Sequence, residues 1–239
     1  MKKIKLSDYT ITSNFKLEII PEGRIIINTI NAYSWVMADK DFLFRKALIN
    51  SDYLLPDGVS ISWAARFLNN ENISKFAGAD LHQLLLSLLD KRHGKCFYLG
   101  ASEQTLHSIK KRLSLDFPNV KVESYSPPFK ASFSSLDNEY MIKVVNRFKP
   151  DVLFVGMTAP KQEKWIFENA YRLETHIITG IGAVFDFYAG TKKRPSKWMI
   201  NWGLEWLGRL VSDPKRLWKR YIIYNPVFIY KILRLKYGF

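Results

Sequence analysis

Asp151-Val152-Leu153-Phe154-Val155-Gly156 is the stretch on which the fold turns. An unbroken apolar run closed by glycine reads as a strand buried on both faces. Pro160 follows closely and suits the first turn of a helix that continues to about Ala170. Working toward the N-terminus, the same alternation repeats. A helix is predicted over Leu136–Phe148, a strand over Val120–Tyr125, a helix from about Ser102 to Leu115 and a strand over Lys95–Leu99. Before these, Asp80 is predicted to cap a helix running to about Arg92, with Leu81, Leu84, Leu85, Leu88 and Leu89 on one face. Val59–Leu68 reads as a buried helix, Leu54-Leu55-Pro56-Asp57-Gly58 as a loop, Ala32–Ile49 as one helix and Arg24–Ile30 as a β-branched strand. Toward the C-terminus, Thr175–Thr179 is the next strand. Strands and helices alternating over short connections predict an α/β fold: a Rossmann-like, mostly parallel sheet with helices on both faces.

The 239 residues allow one large domain or one with an appendage, and 47% hydrophobic against 24% charged residues exclude intrinsic disorder. A lone cysteine, Cys96, has no internal disulfide partner. MKKIKLSDYT carries lysines with no apolar region behind them, and no apolar run approaches the ~20 residues of a spanning helix. A cytoplasmic location is the expectation. The net charge of +14 is unevenly spread: from Gly190 onward there are 12 basic and two acidic residues, so +10 falls in the last 50 residues. Trp198, Trp202, Trp206 and Trp218 share that segment. Cations interleaved with tryptophan suit an anionic headgroup layer or a nucleic acid. The division expected is an α/β core over 1–190 and a basic, Trp-rich helical appendage over 191–239.

Ligands of such a sheet bind beyond the carboxyl ends of the strands. Three predicted strands end in glycine, at Gly100, Gly156 and Gly180, where backbone can approach a phosphate closely. Polar clusters fall at the same end: Asn28-Thr29-Ile30-Asn31, Asp57, Pro160-Lys161-Gln162-Glu163-Lys164 and Asp186. Each also has a plain structural use as a cap, a turn or a first-turn side chain. No GxGxxG, P-loop or G-x-S-x-G motif occurs. His82, His93, His107 and His176 lack ligand spacing, and Asp39-Lys40-Asp41 reads as surface charge inside the first helix, so no metal site is expected.

Six blocks, PDGVSISWAAR (56–66), KFAGADL (75–81), FYLGAS (97–102), PDVLFVGMTAPKQEKW (150–165), GIGAVFDFYAGTKKRPSKW (180–198) and GLEWLGRLVSDPKRLWKR (203–220), resemble in order those of the WecG/TagA/CpsF glycosyltransferases. The resemblance implies an inverting, metal-independent transferase working at the inner face of the cell membrane. It would move an N-acetylhexosamine-type sugar, such as ManNAc or ManNAcA, from a UDP donor to a polyprenyl-diphosphate-linked sugar during teichoic acid, enterobacterial common antigen or capsule assembly. It also implies that Asp57 is the catalytic Asp, suited to act as the base, that Thr29, Asn31 and Gln162 line the pocket, and that Arg209, Arg216 and Lys219 are appendage cations. Lys75 stands where the family usually has arginine, which keeps the charge but not the bidentate fork. With no resident cofactor, Lys75, the appendage cations and the backbone at Gly100 and Gly156 would stabilise the departing UDP. Two rivals fit the residues less fully: a nucleic-acid-binding protein, which leaves the strand-end clusters unused, and a soluble sugar-nucleotide-modifying enzyme, which normally carries a dinucleotide fingerprint.

Overall fold

The computed structural model describes residues 1–238; Phe239, the last residue of the expected appendage, lies outside the described residues. The elements run β1 (Lys2–Leu6), β2 (Tyr9–Ser13), β3 (Ile25–Ile30), α1 (Ala32–Ala38), α2 (Phe42–Ile49), β4 (Tyr53–Pro56), α3 (Val59–Asn69) and α4 (Gly78–Lys91). They continue β5 (Lys95–Gly100), α5 (Glu103–Asp116), β6 (Lys121–Tyr125), α6 (Ser135–Phe148), β7 (Val152–Gly156), α7 (Lys161–Asn169), β8 (Ile177–Gly180) and α8 (Ala183–Ala189). The C-terminal part holds α9 (Lys197–Asn201), α10 (Glu205–Ser212), α11 (Pro214–Trp218), a π turn (Lys219–Ile223) and α12 (Tyr224–Tyr237). The sheet has eight strands in the order β1-β2-β4-β3-β8-β7-β5-β6, and only the β1–β2 hairpin pairs antiparallel.

Alternation along the central strands divides the core into two layers. Cys96, Tyr98, Val152, Phe154 and Ile177 face Leu81, Leu85 and Leu89 of α4 and Leu106, Ile109 and Leu113 of α5. Phe97, Leu99, Leu153, Val155 and Ile178 face Met141, Ile142 and Val145 of α6 and Trp165 and Ile166 of α7. The DVLFVG run is therefore buried on both sides, as its composition predicts. A third cluster fills the space around Ile30, Leu54, Trp35 and Phe44, and it is closed by Phe228 and Ile232 of α12. The rings of Trp35 and Phe228 meet edge to face, 5.6 Å between centroids. The last helix is thus part of the core of the first hundred residues.

Four local expectations change. The helix expected over Ala32–Ile49 is two: α1 ends at Ala38, and Asp41 caps α2 by accepting from the Phe44 N–H at 3.0 Å. Asp39 and Asp41 thus sit between helices, and each is held by a lysine, Lys231 and Lys164 respectively, at 2.9 Å. The expected loop over Leu54–Gly58 begins as strand β4, which is only four residues long and ends in proline, the reason that turn chemistry masked it. Asp80 does not cap α4 from outside; it stands in the first turn and reaches back to the Ala77 N–H at 3.1 Å. The β1–β2 hairpin was not anticipated, because its outward lysines hide the buried Ile4, Leu6, Tyr9 and Ile11.

Candidate active site

Register builds the first half of the site. β3 and β4 are parallel, with Ile30 opposite Pro56, so the next residues, Asn31 and Asp57, leave the sheet side by side. The Asp57 N–H donates to the Ile30 carbonyl at 2.9 Å, which ties the acid to the strand it flanks. Asn31 is the N-cap of α1: its Oδ1 accepts from the Ser34 N–H at 3.0 Å. With the amide oxygen so occupied, Nδ2 is turned to Asp57 Oδ2, 3.3 Å away. The carboxylate is half-buried, and its position is set by backbone and by a fixed amide. Thr29, on β3 opposite Leu55, lines the same cleft.

The second half is the floor. Gly100 and Gly156 are register partners at the ends of β5 and β7. Gly100 has φ +123°, and a Cβ there would stand 2.4 Å from the Gly156 carbonyl oxygen. A Cβ on Gly156 would strike the Phe185 ring at 2.4 Å. Both glycines line the cleft, and packing alone already requires them. Beside them, Gln162 and Glu163 open α7 and are buried, at 5% and 4% exposure. Gln162 Oε1 accepts from the Gly182 N–H at 3.2 Å, and its Nε2 donates to Glu163 Oε1 at 2.9 Å. Glu163 Oε2 is buried with no hydrogen-bond partner. Burial pushes the Glu163 carboxyl up to about 7 against the opposing pull of these hydrogen bonds and of Arg220. The sequence placed Glu163 in a strand-end polar cluster, but a first-turn Glu is ordinarily a solvated group, so its burial left no signal.

The C-terminal segment forms the far wall. Arg209, Arg216 and Lys219 all border a cleft of about 1240 Å³ that also touches Thr29, Asn31, Asp57, Gly100, Gly156 and Gln162. Asp186 and Arg194 border it as well. Arg209 lies 5.6 Å from the Phe187 ring centre, and Arg216 pairs with Asp213 at 2.8 Å. Lys219 is exposed, its ammonium 5.6 Å from the Trp218 ring. Its neighbour Arg220 points inward: half-buried, it covers the Tyr33 ring at 4.6 Å and acts electrostatically on both Asp57 and Glu163. Arg220, in the π turn beside Lys219, is the cation that the family resemblance did not single out.

Lys75 is the one expected site residue outside that cleft. It borders a side pocket of about 160 Å³, together with Asp57, Arg209 and Arg220. Its Nζ donates to the Ile200 carbonyl at 2.5 Å, tying the loop before α4 to α9. Asn31 and Asp57 border both cavities, so the acid stands on the partition between them. Among the described residues, no three His, Cys, Asp or Glu side chains gather as a metal would require.

The model of the glycosyl transferase WecG/TagA/CpsF family matches residues 5–238. A similar protein of Bacillus subtilis (strain 168), an N-acetylglucosaminyldiphosphoundecaprenol N-acetyl-beta-D-mannosaminyltransferase, is 32% identical over 195 residues, 82% of this chain and 74% of its own. A protein of the same name from Staphylococcus aureus (strain MW2) is 30% identical over 190 residues, 79% of this chain and 72% of its own.

Proposed function

The chain belongs to the WecG/TagA/CpsF family of glycosyltransferases, and from that premise we propose which sugar transfer it performs and how. The reaction is inverting transfer of an N-acetylhexosamine-type sugar, ManNAc or a near relative, from UDP to a sugar carried on polyprenyl diphosphate. The relatives' printed activity, addition of N-acetylmannosamine to N-acetylglucosaminyl-diphosphoundecaprenol, supports both the sugar class and the lipid-linked acceptor. The observation that carries the reading is the juxtaposition of Asp57 with Arg209, Arg216 and Arg220 across one cleft at the carboxyl ends of the strands. Such a cleft meets the two demands of the reaction, a base for the incoming hydroxyl and positive charge for the departing diphosphate.

In the mechanism, Asp57 accepts the proton of the acceptor hydroxyl. The oxygen attacks the anomeric carbon from the face opposite UDP, and the bond from that carbon to the β-phosphate oxygen breaks. UDP departs with the electron pair, and the new glycosidic bond has the opposite configuration. Arg209, Arg216 and Lys219 offset the charge that develops on the diphosphate, and Lys75 and Arg220 do so from the side-pocket flank. These cations make a metal unnecessary. The enzyme works as a peripheral protein on the cytoplasmic membrane face, held there by its basic tryptophan-bearing surface. Trp198, Trp202 and Trp218 are exposed, and no helix among the described residues is long and apolar enough to cross a membrane.

The test is a screen of UDP-sugars, UDP-ManNAc included, against a short-chain polyprenyl-diphosphate-linked GlcNAc, with products read by mass spectrometry and anomeric configuration by NMR. One donor is expected to give a single inverted product. Turnover of a UDP-sugar without acceptor, and no transfer with it, would replace this reading by a sugar-nucleotide-modifying enzyme.

A further inference from the structure

The Gln162–Glu163 pair holds an arrangement that the reaction described so far does not use. A side-chain amide has one acceptor oxygen and two donor hydrogens. Gln162 spends its oxygen on the Gly182 N–H and one hydrogen on Glu163, at 3.2 and 2.9 Å. Because a backbone N–H can only donate, the amide has a single orientation in this setting. What remains for a ligand is the other Nε2 hydrogen, on a side chain that lines the cleft. Gln162 is thereby a donor, and the group it meets is an acceptor oxygen.

Glu163 completes that orientation at a cost. Its carboxyl is buried, one oxygen holds Gln162, and the other has no partner. A buried polar atom without a partner has lost its hydration and gained nothing in return, which destabilises the fold. An apolar residue would remove the unpaired oxygen but leave the Gln162 Nε2 hydrogen without its acceptor, so what the carboxyl contributes here is the hold on that amide. We propose that Glu163 is a positioning residue for sugar transfer: it fixes the Gln162 amide as a one-way hydrogen-bond donor to an oxygen of the nucleotide-sugar donor. The inference rests on the glycosyl-transfer reading above for its ligand. The amide orientation itself can be read without any substrate.

The experiment uses the full chain with Glu163→Met and Glu163→Gln. Met keeps the volume and removes the acceptor; Gln keeps an acceptor oxygen and removes the charge. With UDP-sugar and lipid-linked acceptor, Met is expected to lower kcat by about 10–100-fold, as misplacement of a substrate contact does. The donor KM should change less than about threefold, and Gln should restore kcat to within about threefold of wild type, since orientation is retained. The melting temperature of both variants should be unchanged or raised. A Met variant with wild-type kcat overturns the proposal, as does a Gln variant as slow as Met. Should Met not fold, Glu163→Asp, which withdraws the acceptor by one methylene, must show the same loss. Independently of turnover, the Gln162 side-chain amide proton bonded to Glu163 should lie downfield by NMR in wild type and return toward the free-amide position in Met. If wild type transfers no sugar, the reaction reading fails while this amide readout still decides the positioning claim: unchanged amide signals sink it.

Discussion

At position 57 a half-buried carboxylate accepts from Asn31 and stands over two cavities; at position 163 a carboxyl is buried on the cleft floor with one oxygen unpaired. The two acids should answer substitution oppositely. Asp57→Asn keeps the shape and the Asn31 neighbourhood but removes the base, so turnover should fall by roughly 10²–10⁴-fold with UDP affinity and melting temperature nearly intact. Near-wild-type turnover would remove Asp57 from the chemistry. Glu163 acts on stability. Its carboxyl goes from an ordinary 4.5 to about 7 on folding, so the native state binds the proton more tightly than the unfolded one. Below about pH 4.5 both states are protonated and nothing is lost. As pH rises from there to 7 the native state is progressively disfavoured, by about 3 kcal/mol in full, and above 7 the cost is constant. Glu163→Gln should therefore raise the melting temperature most at pH 8 and hardly at all at pH 4. An equal shift at both values would contradict the assignment. Neither behaviour was legible in the residues themselves. Asp57 lies in a Pro-Asp-Gly stretch that reads as a common turn, and Glu163 in a helical first turn where acids are usual.

Elements were legible where burial leaves a one-letter trace. β7 is apolar on both faces and shows as an unbroken run, whereas β4 has four residues and its proline is a turn signal, and the β1–β2 hairpin shows lysines outward. Pairing left no local trace at all. Asn31 and Asp57 are 26 residues apart and meet only because Ile30 registers with Pro56. The π turn is a second case. Nothing in the residues around Lys219 and Arg220 tells which of the two turns onto the distant Tyr33 and toward both acids; in the structure it is Arg220. Arg220→Ala should accordingly lower kcat/KM by about tenfold or more, since a charge-assisted contact is lost. Lys219→Ala should change it less than about threefold. The reverse ranking, measured with one donor and acceptor, would make Lys219 the cation that matters.

For the whole molecule, charge and tryptophan concentrate on the C-terminal wall, so the proposed membrane binding and catalysis would share a surface that point changes can separate. Anionic liposomes should be bound in preference to neutral ones and to oligonucleotides, and released as salt shortens the Debye length below about 8–10 Å. Trp218→Ala should weaken liposome binding more than turnover, and Arg209→Ala or Arg216→Ala the reverse. Tighter binding to oligonucleotides at matched salt would favour the nucleic-acid reading instead. Turnover should also survive exhaustive EDTA treatment, and recovery of lost activity by Mg²⁺ or Mn²⁺ would reverse that expectation. The packing of Phe228 and Ile232 against Trp35 has a further consequence, in the order of synthesis. A chain elongating at about 5–20 residues per second leaves Trp35 waiting about 10–40 s for the helix that covers it. Until that helix emerges from the ribosome, an early apolar surface stays open for chaperones, and Arg220, just ahead of α12, has no settled place over Tyr33. A nascent chain can thus lay down its sheet while it is still being made, but its site is complete only once α12 has followed and packed onto Trp35.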